Sequence, residues 1–187
     1  LGMAIHARPS NHIAHHLTVR CSAHVIAKEL HMGRIETALR DLGIVLPNPV
    51  APVANYLPAI RSGSLVFVAG QLCFGADGQI ANAHRGKLGV NVTDLQGREA
   101  AGLCAINLLA QLKGIVGDLD HVAQCVRLGG FINSQGGNAS LAQVMNGASD
   151  LLVAVFGERG RHARTTVGVA ELPLDAVIEI DAVFQVE

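Results

Sequence analysis

The most regular pattern of apolar and polar residues lies at the C-terminal end of the chain, from position 178 onward. Apolar residues recur at every second position, and polar or charged residues occupy most of the positions between them. The apolar set is Ile178, Ile180, Ala182, Phe184 and Val186, and the polar set is Glu179, Asp181, Gln185 and Glu187. A period of two predicts a β-strand with one buried face, so another part of the chain must cover that face.

A second, shorter alternation precedes this strand. Val167 and Val169 lie on one side of an extended segment, and Pro173, which has no backbone N–H to donate, ends the pattern. The two segments therefore read as two strands joined by a proline-containing turn. If the strands pair as a hairpin, Arg164 at the start of the first and Glu179 near the start of the second stand at one end of one sheet.

Helical and extended patterns alternate through the rest of the chain. The predicted elements are a helix over 33–42, an extended proline-rich segment, a strand over 64–72, a helix from 93 to about 116, a strand over 122–134 and a helix from 140 to about 157. The pairs Thr93/Gln96 and Ser140/Gln143 have the spacing of capping boxes at the starts of the two long helices. The Gly129–Gly130 pair inside a strand predicts a bulge or a close approach of another segment.

This order of elements predicts an α+β fold, in which a mixed β-sheet carries two long helices on one face. We expect residues 32–187 to form a single domain. Residues 1–31 differ in composition, with six of the nine histidines of the chain and no acidic residue before Glu29. A metal site of His12, His15 and His16 or a transit peptide is possible there. We expect instead a poorly ordered extension or a non-native start, with Met32 as the natural first residue.

Composition and charge argue against two classes of function, nucleic-acid binding and membrane contact. The chain has 187 residues, of which 50% are hydrophobic and 16% charged, and its net charge is −1. A near-neutral chain without a basic stripe makes nucleic acid an improbable partner. No continuous apolar run has the length that spans a bilayer, so we expect no membrane contact. The four cysteines, Cys21, Cys73, Cys104 and Cys125, lack metal-binding spacing and are interpreted as reduced thiols of a cytoplasmic protein.

The C-terminal segment from Arg164 to Ile180, R-T-T-V-G-V-A-E-L-P-L-D-A-V-I-E-I, resembles the signature of the RidA/YjgF family of imine deaminases, formerly called endoribonuclease L-PSP. Ala69-Gly70-Gln71 is similar to the family's Ser-Gly-Gln, and Tyr56 and Asn146 fall in the same order as in the family. The resemblance implies a chorismate-mutase-like fold that assembles as a homotrimer with clefts between subunits. The high apolar fraction is consistent with burial between subunits.

The resemblance also implies roles for individual residues. Arg164 would hold the carboxylate of a 2-imino acid through two parallel hydrogen bonds, and Glu179 would activate a water molecule. The substrate-binding residues implied are Arg164, Tyr56, Asn146, Ala69, Gly70 and Thr166. From the residues alone, Arg164 could equally be a strand-end cation in an ion pair, and Glu179 a solvated carboxylate. Thr166 stands where the family often has Cys, and Ala69 where it often has Ser, so the substrate is left open.

The resemblance implies hydrolysis of 2-iminobutanoate-type or 2-iminopropanoate-type acids to 2-oxo acids and ammonia. Neither a cofactor nor a metal is expected, because an imine carbon is already electrophilic. A non-catalytic trimer that binds a small carboxylate is the main alternative. An endoribonuclease, after the older family name, is disfavoured because the chain is near neutral and only 3% aromatic.

Overall fold

One mixed β-sheet organises the domain, and two long helices cover one of its faces. The computed structural model describes residues 33–49, 55–137 and 140–187. The helices are α1 (Arg34–Asp41), α2 (Asp94–Val116) and α3 (Leu141–Phe156), and the strands are β1 (Ala59–Ser62), β2 (Leu65–Leu72), β3 (Val122–Asn133), β4 (Ala163–Val169) and β5 (Ile178–Val186). The α+β class and the predicted elements are confirmed, and β1 is an addition. The predictions for residues 1–31, including the histidine site and Cys21, fall outside the described residues.

Strand β5 lies at the centre of the sheet, whose strand order is β1-β2-β5-β3-β4. It pairs antiparallel with β2 on one side and with β3 on the other. Strand β4 pairs with β3 in parallel, because α3 returns the chain to the same end of the sheet at which β3 began. The hairpin expected between β4 and β5 is therefore wrong, since β3 lies between these two strands.

Contacts from the loop before α2 hold the chain where it crosses the end of β3 on the way from β4 to β5. Val177 N donates to His84 O at 2.9 Å, and Asn133 N donates to Val177 O at 2.9 Å. The ammonium group of Lys87 donates to the buried Asn133 side chain at 2.7 Å and also to the Ala170 carbonyl. These hydrogen bonds pair backbone groups of the segment that crosses from β4 to β5, so this segment does not need a direct β4–β5 ladder.

The two long helices begin differently. At α2 the predicted capping box is confirmed, with Thr93 Oγ1 accepting from Gln96 N at 3.3 Å and Gln96 Oε1 accepting from Thr93 N at 2.9 Å. The capping box predicted at α3 is wrong. The ψ of Ser140 is 3°, outside the extended region that a cap requires, and its hydroxyl donates to Asp94 Oδ1 at 2.8 Å instead. This bond ties the starts of the two helices together.

Helix α1 depends on a partner that is distant in sequence. The Asp120 carboxylate accepts from the N–H groups of Arg34 at 2.7 Å and Ile35 at 3.0 Å, which are the first two of the helix. A carboxylate at this position satisfies free donors and complements the helix dipole. Gly43, with φ of 69°, ends the helix as predicted.

Helix α2 fills the centre of the core. By length and composition alone it could span a membrane, which the sequence had not led us to expect. Its apolar residues, however, pack against the sheet and α3; those with no exposed surface are Ala100, Ala101, Cys104, Ala105, Leu108, Leu109 and Leu112. Burial on several sides of the helix accounts for its hydropathy. Cys125 of β3 and Cys73 are buried with it, and all three described cysteines are free thiols.

The crossing of α2 and α3 depends on a glycine. A Cβ atom added to Gly147 of α3 would lie 2.0 Å from the backbone oxygen of Arg98 in α2. Gly102 of α2 lies at the same crossing, but a Cβ atom there would be 3.8 Å from the Gly147 oxygen, which is an ordinary contact. The two glycines therefore differ in how much space the packing leaves them.

We predict that Gly147→Ala lowers the free energy of unfolding by roughly 1–3 kcal/mol, because the helices must move apart. Gly102→Ala is the matched control and should not lower it, since alanine fits there and favours a helix by about 1 kcal/mol. Urea denaturation of both variants at one protein concentration measures the difference. Equal stability of the two variants would show that Gly147 is not needed for the crossing.

Candidate functional site

The strand register places Arg164 and Glu179 on opposite faces of the sheet. Residues that face each other in paired strands point to the same side, whereas successive residues in one strand alternate. Arg164 faces Leu128 of β3, which is fully buried under the helices. Glu179 faces Phe131 of β3, three positions farther along and hence on the other side. Within one chain, the two residues do not form one site. The side under the helices is called the covered face and the other the open face.

On the covered face, Arg164 is held against α3. Its Nη1 atom donates to Asn146 Oδ1 at 2.8 Å and to Ser149 Oγ at 3.1 Å, and its Nη2 atom donates to Ala142 O at 3.3 Å. The three partners follow one another at helical spacings of four and three residues, so they form one stripe of α3. The structure thus brings together Arg164 and Asn146, two of the residues predicted for the site.

The charge of Arg164 is not neutralised by a neighbouring acid. Among the described residues, its hydrogen-bond acceptors are an amide, a hydroxyl and a backbone carbonyl, and it forms no ion pair. Two other charged groups nearby are paired, Arg161 with Glu158 at 2.9 Å and Asp150 with Arg98 at 2.6 Å. The interpretation of Arg164 as half of a strand-end ion pair is therefore not supported within this chain.

A small cleft opens beside Arg164 at the β4 edge of the sheet. Its volume is about 250 Å³, and its lining residues are Ser149, Asp150, Val153, Arg161, His162 and Arg164. We call it the edge cleft. Because the acid and the second arginine in this set are paired elsewhere, the net character of the cleft is set by the uncompensated guanidinium of Arg164. It is suited to a small anion.

His162 lies in the edge cleft in a defined orientation. Its Nδ1 atom is 2.7 Å from the Gly160 carbonyl oxygen, and its Nε2 atom is 3.0 Å from Ser149 Oγ. Burial lowers the pKa of His162 below its ordinary value, and the nearby Arg164 charge lowers it further, although the bond to Gly160 opposes these effects. The imidazole is therefore held largely neutral near pH 7.

On the open face, Glu179 lies against the backbone of β2. A Cβ atom added to Gly70 would be 1.8 Å from Glu179 Oε1, so a side chain at position 70 would displace this carboxylate. Gly70 and Ala69 belong to a β-bulge, because the β2–β5 register shifts between Val68 and Gln71. The structure thus brings together Glu179, Ala69 and Gly70, three more of the predicted residues.

The carboxylate of Glu179 is difficult to ionise. Burial raises its pKa above the ordinary value, and the negative charge of Asp181 on the same face raises it further. Asp181 is itself paired with Arg127 at 3.0 Å, in space that Gly129 leaves free. A carboxyl group with a raised pKa is the kind that accepts and donates protons near neutral pH.

Two predicted residues, Tyr56 and Thr166, are not among the lining residues of the edge cleft. Tyr56 precedes β1, has 52% of its surface exposed, and lines neither the edge cleft nor the open-face groove beside Ala69, whose volume is about 490 Å³. Thr166 is on the covered face, where its Oγ1 atom is buried and has no hydrogen-bond partner in the described part of the chain. Thr166 therefore places a small polar group inside the sheet.

Ser149 and His162 were not among the residues predicted from the sequence. The sequence spacing could have indicated Ser149, because this residue is three positions after Asn146 on one helix and so shares its face. His162 lies two residues before Arg164, and strand alternation carries it to the same side. Their mutual contact depends on how α3 packs on β4, which no local pattern specifies.

Comparison with known proteins covers most of the chain. Residues 36–184 match the family described as "YjgF/chorismate_mutase-like, putative endoribonuclease". The protein TCP17 of Trypanosoma cruzi is 42% identical over 154 residues, which is 82% of this chain and 94% of that protein. The crystal structure of Atu1372 from Agrobacterium tumefaciens, a protein of unknown function, is 42% identical, with a TM-score of 0.76 over 82% of this chain and 93% of that one.

A more distant likeness extends to a protein with a bound small molecule. The crystal structure of E. coli TdcF with bound serine has a TM-score of 0.52 and 21% identity, over 76% of this chain and 96% of that one. At this identity the likeness shows a shared fold. Residues 36–184, which the family model matches, include both residue groups described above.

We predict that Glu179→Gln raises the melting temperature at pH 7 by roughly 1–3 °C, an amount limited by partial solvent exposure. A raised carboxyl pKa in the folded protein means that protonation stabilises the fold, and that this stabilisation is lost as pH rises through the folded-state pKa. The advantage of the variant should therefore vanish below the ordinary carboxyl value of 4.5. Thermal unfolding from pH 4 to 8 tests this, with Glu171→Gln, an exposed carboxylate, as control. A lower melting temperature at pH 7 would mean that the ionised carboxylate makes favourable contacts.

Proposed function

Because this chain belongs to the YjgF/chorismate-mutase-like family, we propose that it hydrolyses 2-imino or enamine acids of the 2-iminobutanoate and 2-iminopropanoate type to 2-oxo acids and ammonia. The observation that carries the proposal is the uncompensated guanidinium of Arg164 at the edge cleft. A planar guanidinium binds a carboxylate through two parallel hydrogen bonds. The serine bound to TdcF, itself a small molecule with a carboxylate, is in line with such a ligand.

In this proposal, the chemistry needs one positioned base. The carboxylate of the substrate binds to Arg164. Glu179 takes a proton from a water molecule while the water oxygen attacks the imine carbon. The resulting carbinolamine loses ammonia after proton transfer to nitrogen, and the 2-oxo acid leaves. The raised pKa of Glu179 supports this role, because a base whose pKa is nearer the working pH also returns the proton efficiently. Neither a metal nor a cofactor is required by this sequence of steps.

The positions of the two residues favour a site shared between subunits. Arg164 and Glu179 lie on opposite faces of one sheet, with register positions three residues apart along β3, or about 10 Å. In a homotrimer with clefts between subunits, the guanidinium of one subunit would face the carboxylate of the next. The open face supports such assembly, because it exposes large apolar residues, among them Ile60 at 55% and Phe67 at 43%.

A non-catalytic trimer that binds small carboxylates is the second candidate. It is favoured by the same separation of Arg164 from Glu179, since an anion-binding site needs only the arginine. An endoribonuclease, the activity named in the family description, is less well supported. A net charge of −1 provides little attraction for a phosphate chain.

We predict that Arg164→Ala abolishes binding of 2-oxobutanoate, whereas Glu179→Gln leaves binding nearly unchanged but slows imine hydrolysis by roughly 10²-fold or more. Arg164→Lys should restore little binding, because a point charge does not reproduce the guanidinium fork. Calorimetry measures binding of the 2-oxo acid. Semicarbazide trapping of a freshly generated 2-imino acid measures hydrolysis.

Arg61→Ala, on the strand at the opposite edge of the sheet, is the matched control for loss of an arginine. If Glu179→Gln keeps full turnover, the assignment of the base is wrong. If the wild-type protein binds 2-oxobutanoate through Arg164 but does not accelerate hydrolysis, the non-catalytic trimer is the better account.

We also predict that two inactive variants restore activity when mixed. Subunits carrying Arg164→Ala and subunits carrying Glu179→Gln, unfolded and refolded together, should regain about a quarter of wild-type sites if each site uses one residue from each of two neighbouring subunits. Sedimentation equilibrium verifies the trimer. A monomer at micromolar concentration, or a mixture that remains inactive while both variants form trimers, would contradict the shared site.

A further inference from the structure

The edge cleft contains a hydrogen-bond arrangement that imine hydrolysis does not use. Ser149 Oγ, His162 Nε2, His162 Nδ1 and the Gly160 carbonyl form a continuous chain, with heavy-atom distances of 3.0 Å and 2.7 Å at its two ends. These distances are within the range that connects a nucleophile to its base, and the base to the group that orients it.

The acceptor at each step determines where the hydrogens lie. A carbonyl oxygen only accepts, so His162 Nδ1 must carry the hydrogen that is donated to Gly160 O. In a neutral ring, Nε2 is then an acceptor. Arg164 Nη1 donates to Ser149 Oγ at 3.1 Å, which leaves the hydroxyl hydrogen of Ser149 free to be donated to His162 Nε2. The serine is therefore oriented as a proton donor to an imidazole that is oriented as a base.

The surroundings agree with this assignment. Both Ser149 and His162 line the edge cleft, whose volume is about 250 Å³. Ser149 is half-buried, and the low pKa of His162 keeps its ring neutral and able to accept a proton. The guanidinium of Arg164 next to Oγ favours negative charge on the serine oxygen and on an oxygen that develops charge beside it.

From this geometry we infer that Ser149 and His162 form a nucleophile–base pair that hydrolyses small anionic esters bound at Arg164. In the first step, Ser149 Oγ attacks the ester carbonyl carbon and its proton passes to His162 Nε2. The carbon–oxygen bond to the leaving alcohol then breaks, and the alcohol takes the proton from His162. Water attacks the acyl-serine with His162 again accepting the proton; the bond from the acyl carbon to Ser149 Oγ then breaks, His162 returns the proton to Ser149 Oγ, and the carboxylic acid is released.

This activity does not rest on the proposed imine hydrolysis, since Glu179 lies on the other face of the sheet and has no part in it. A hydrogen bond that merely ties α3 to β4 is the structural alternative. The two differ in one property: only a nucleophile forms a covalent adduct. The test therefore measures adduct formation on the full, folded wild-type protein.

The probe is an alkyl fluorophosphonate, which transfers its phosphonyl group to an activated serine with loss of fluoride. Trypsin places Ser149 in one peptide with Ser134 and Ser140, so fragmentation in the mass spectrometer identifies the labelled serine against two internal controls. We expect the label on Ser149. His162→Gln should slow labelling by roughly 10²-fold, whereas His121→Gln, which changes an exposed histidine whose ring lies 3.4 Å from the Val116 carbonyl oxygen, should label as the wild type does.

Turnover of 4-acetoxybenzoate provides the second measurement, with phenyl acetate as the neutral analogue. We expect kcat/KM to be about tenfold higher for the anionic ester because of the Arg164 charge. The inference is overturned if the wild-type protein carries no label on Ser149, or if His162→Gln labels as fast as the wild type. It is equally overturned if the wild-type protein hydrolyses neither ester faster than Ser149→Ala does, provided that this variant shows a normal unfolding transition. Trapping of the 2-imino acid in the same preparations reports separately on the proposed deaminase activity.

Discussion

The central position of β5, between β2 and β3, is the constraint on which the rest of the structure depends. The strand has one wholly apolar side, and a central strand can bury that side completely under the helices. The side chains of Glu179 and Asp181 are then directed to the open face. Arg164 pairs with Leu128 of β3, three positions from the β3 partner of Glu179, so it is directed to the other face, against α3. The two candidate functional residues, Glu179 and Arg164, therefore lie on different faces of the sheet.

Glycines make room for the charged side chains of the open face. On the open face, Gly70 gives the Glu179 carboxylate space against β2, and Gly129 does the same for the Asp181–Arg127 ion pair. A carboxylate packed in this way loses hydration, which raises its pKa and costs stability when it is charged. Destabilisation of this kind is common where a group has a functional task. At Glu179, therefore, the burial that destabilises the charged carboxylate also raises the pKa of the carboxyl group toward the range of proton transfer.

On the covered face, Arg164 lies on the edge strand β4 without an acidic partner among the described residues. Arg164 is positioned by neutral acceptors on one stripe of α3, so its charge stays available to a ligand. The same stripe brings Ser149 to His162. An arginine that both orients a hydroxyl and attracts anions gives the edge cleft a chemistry of its own. The two faces thus offer two distinct reactive groups on one small domain.

Local pattern alone determined most elements of this protein, β1 (Ala59–Ser62) excepted. A period of two identified β5, the Thr93 capping box marked the start of α2, and Gly43 ended α1, because each depends on neighbours in sequence. The separation of β4 from β5 and the cap that Asp120 provides to α1 were decided only by tertiary structure. So was the meeting of Ser149 with His162. Residues far apart in sequence meet through packing of whole helices and strands, and no periodicity within a single segment records which other segment will cover it.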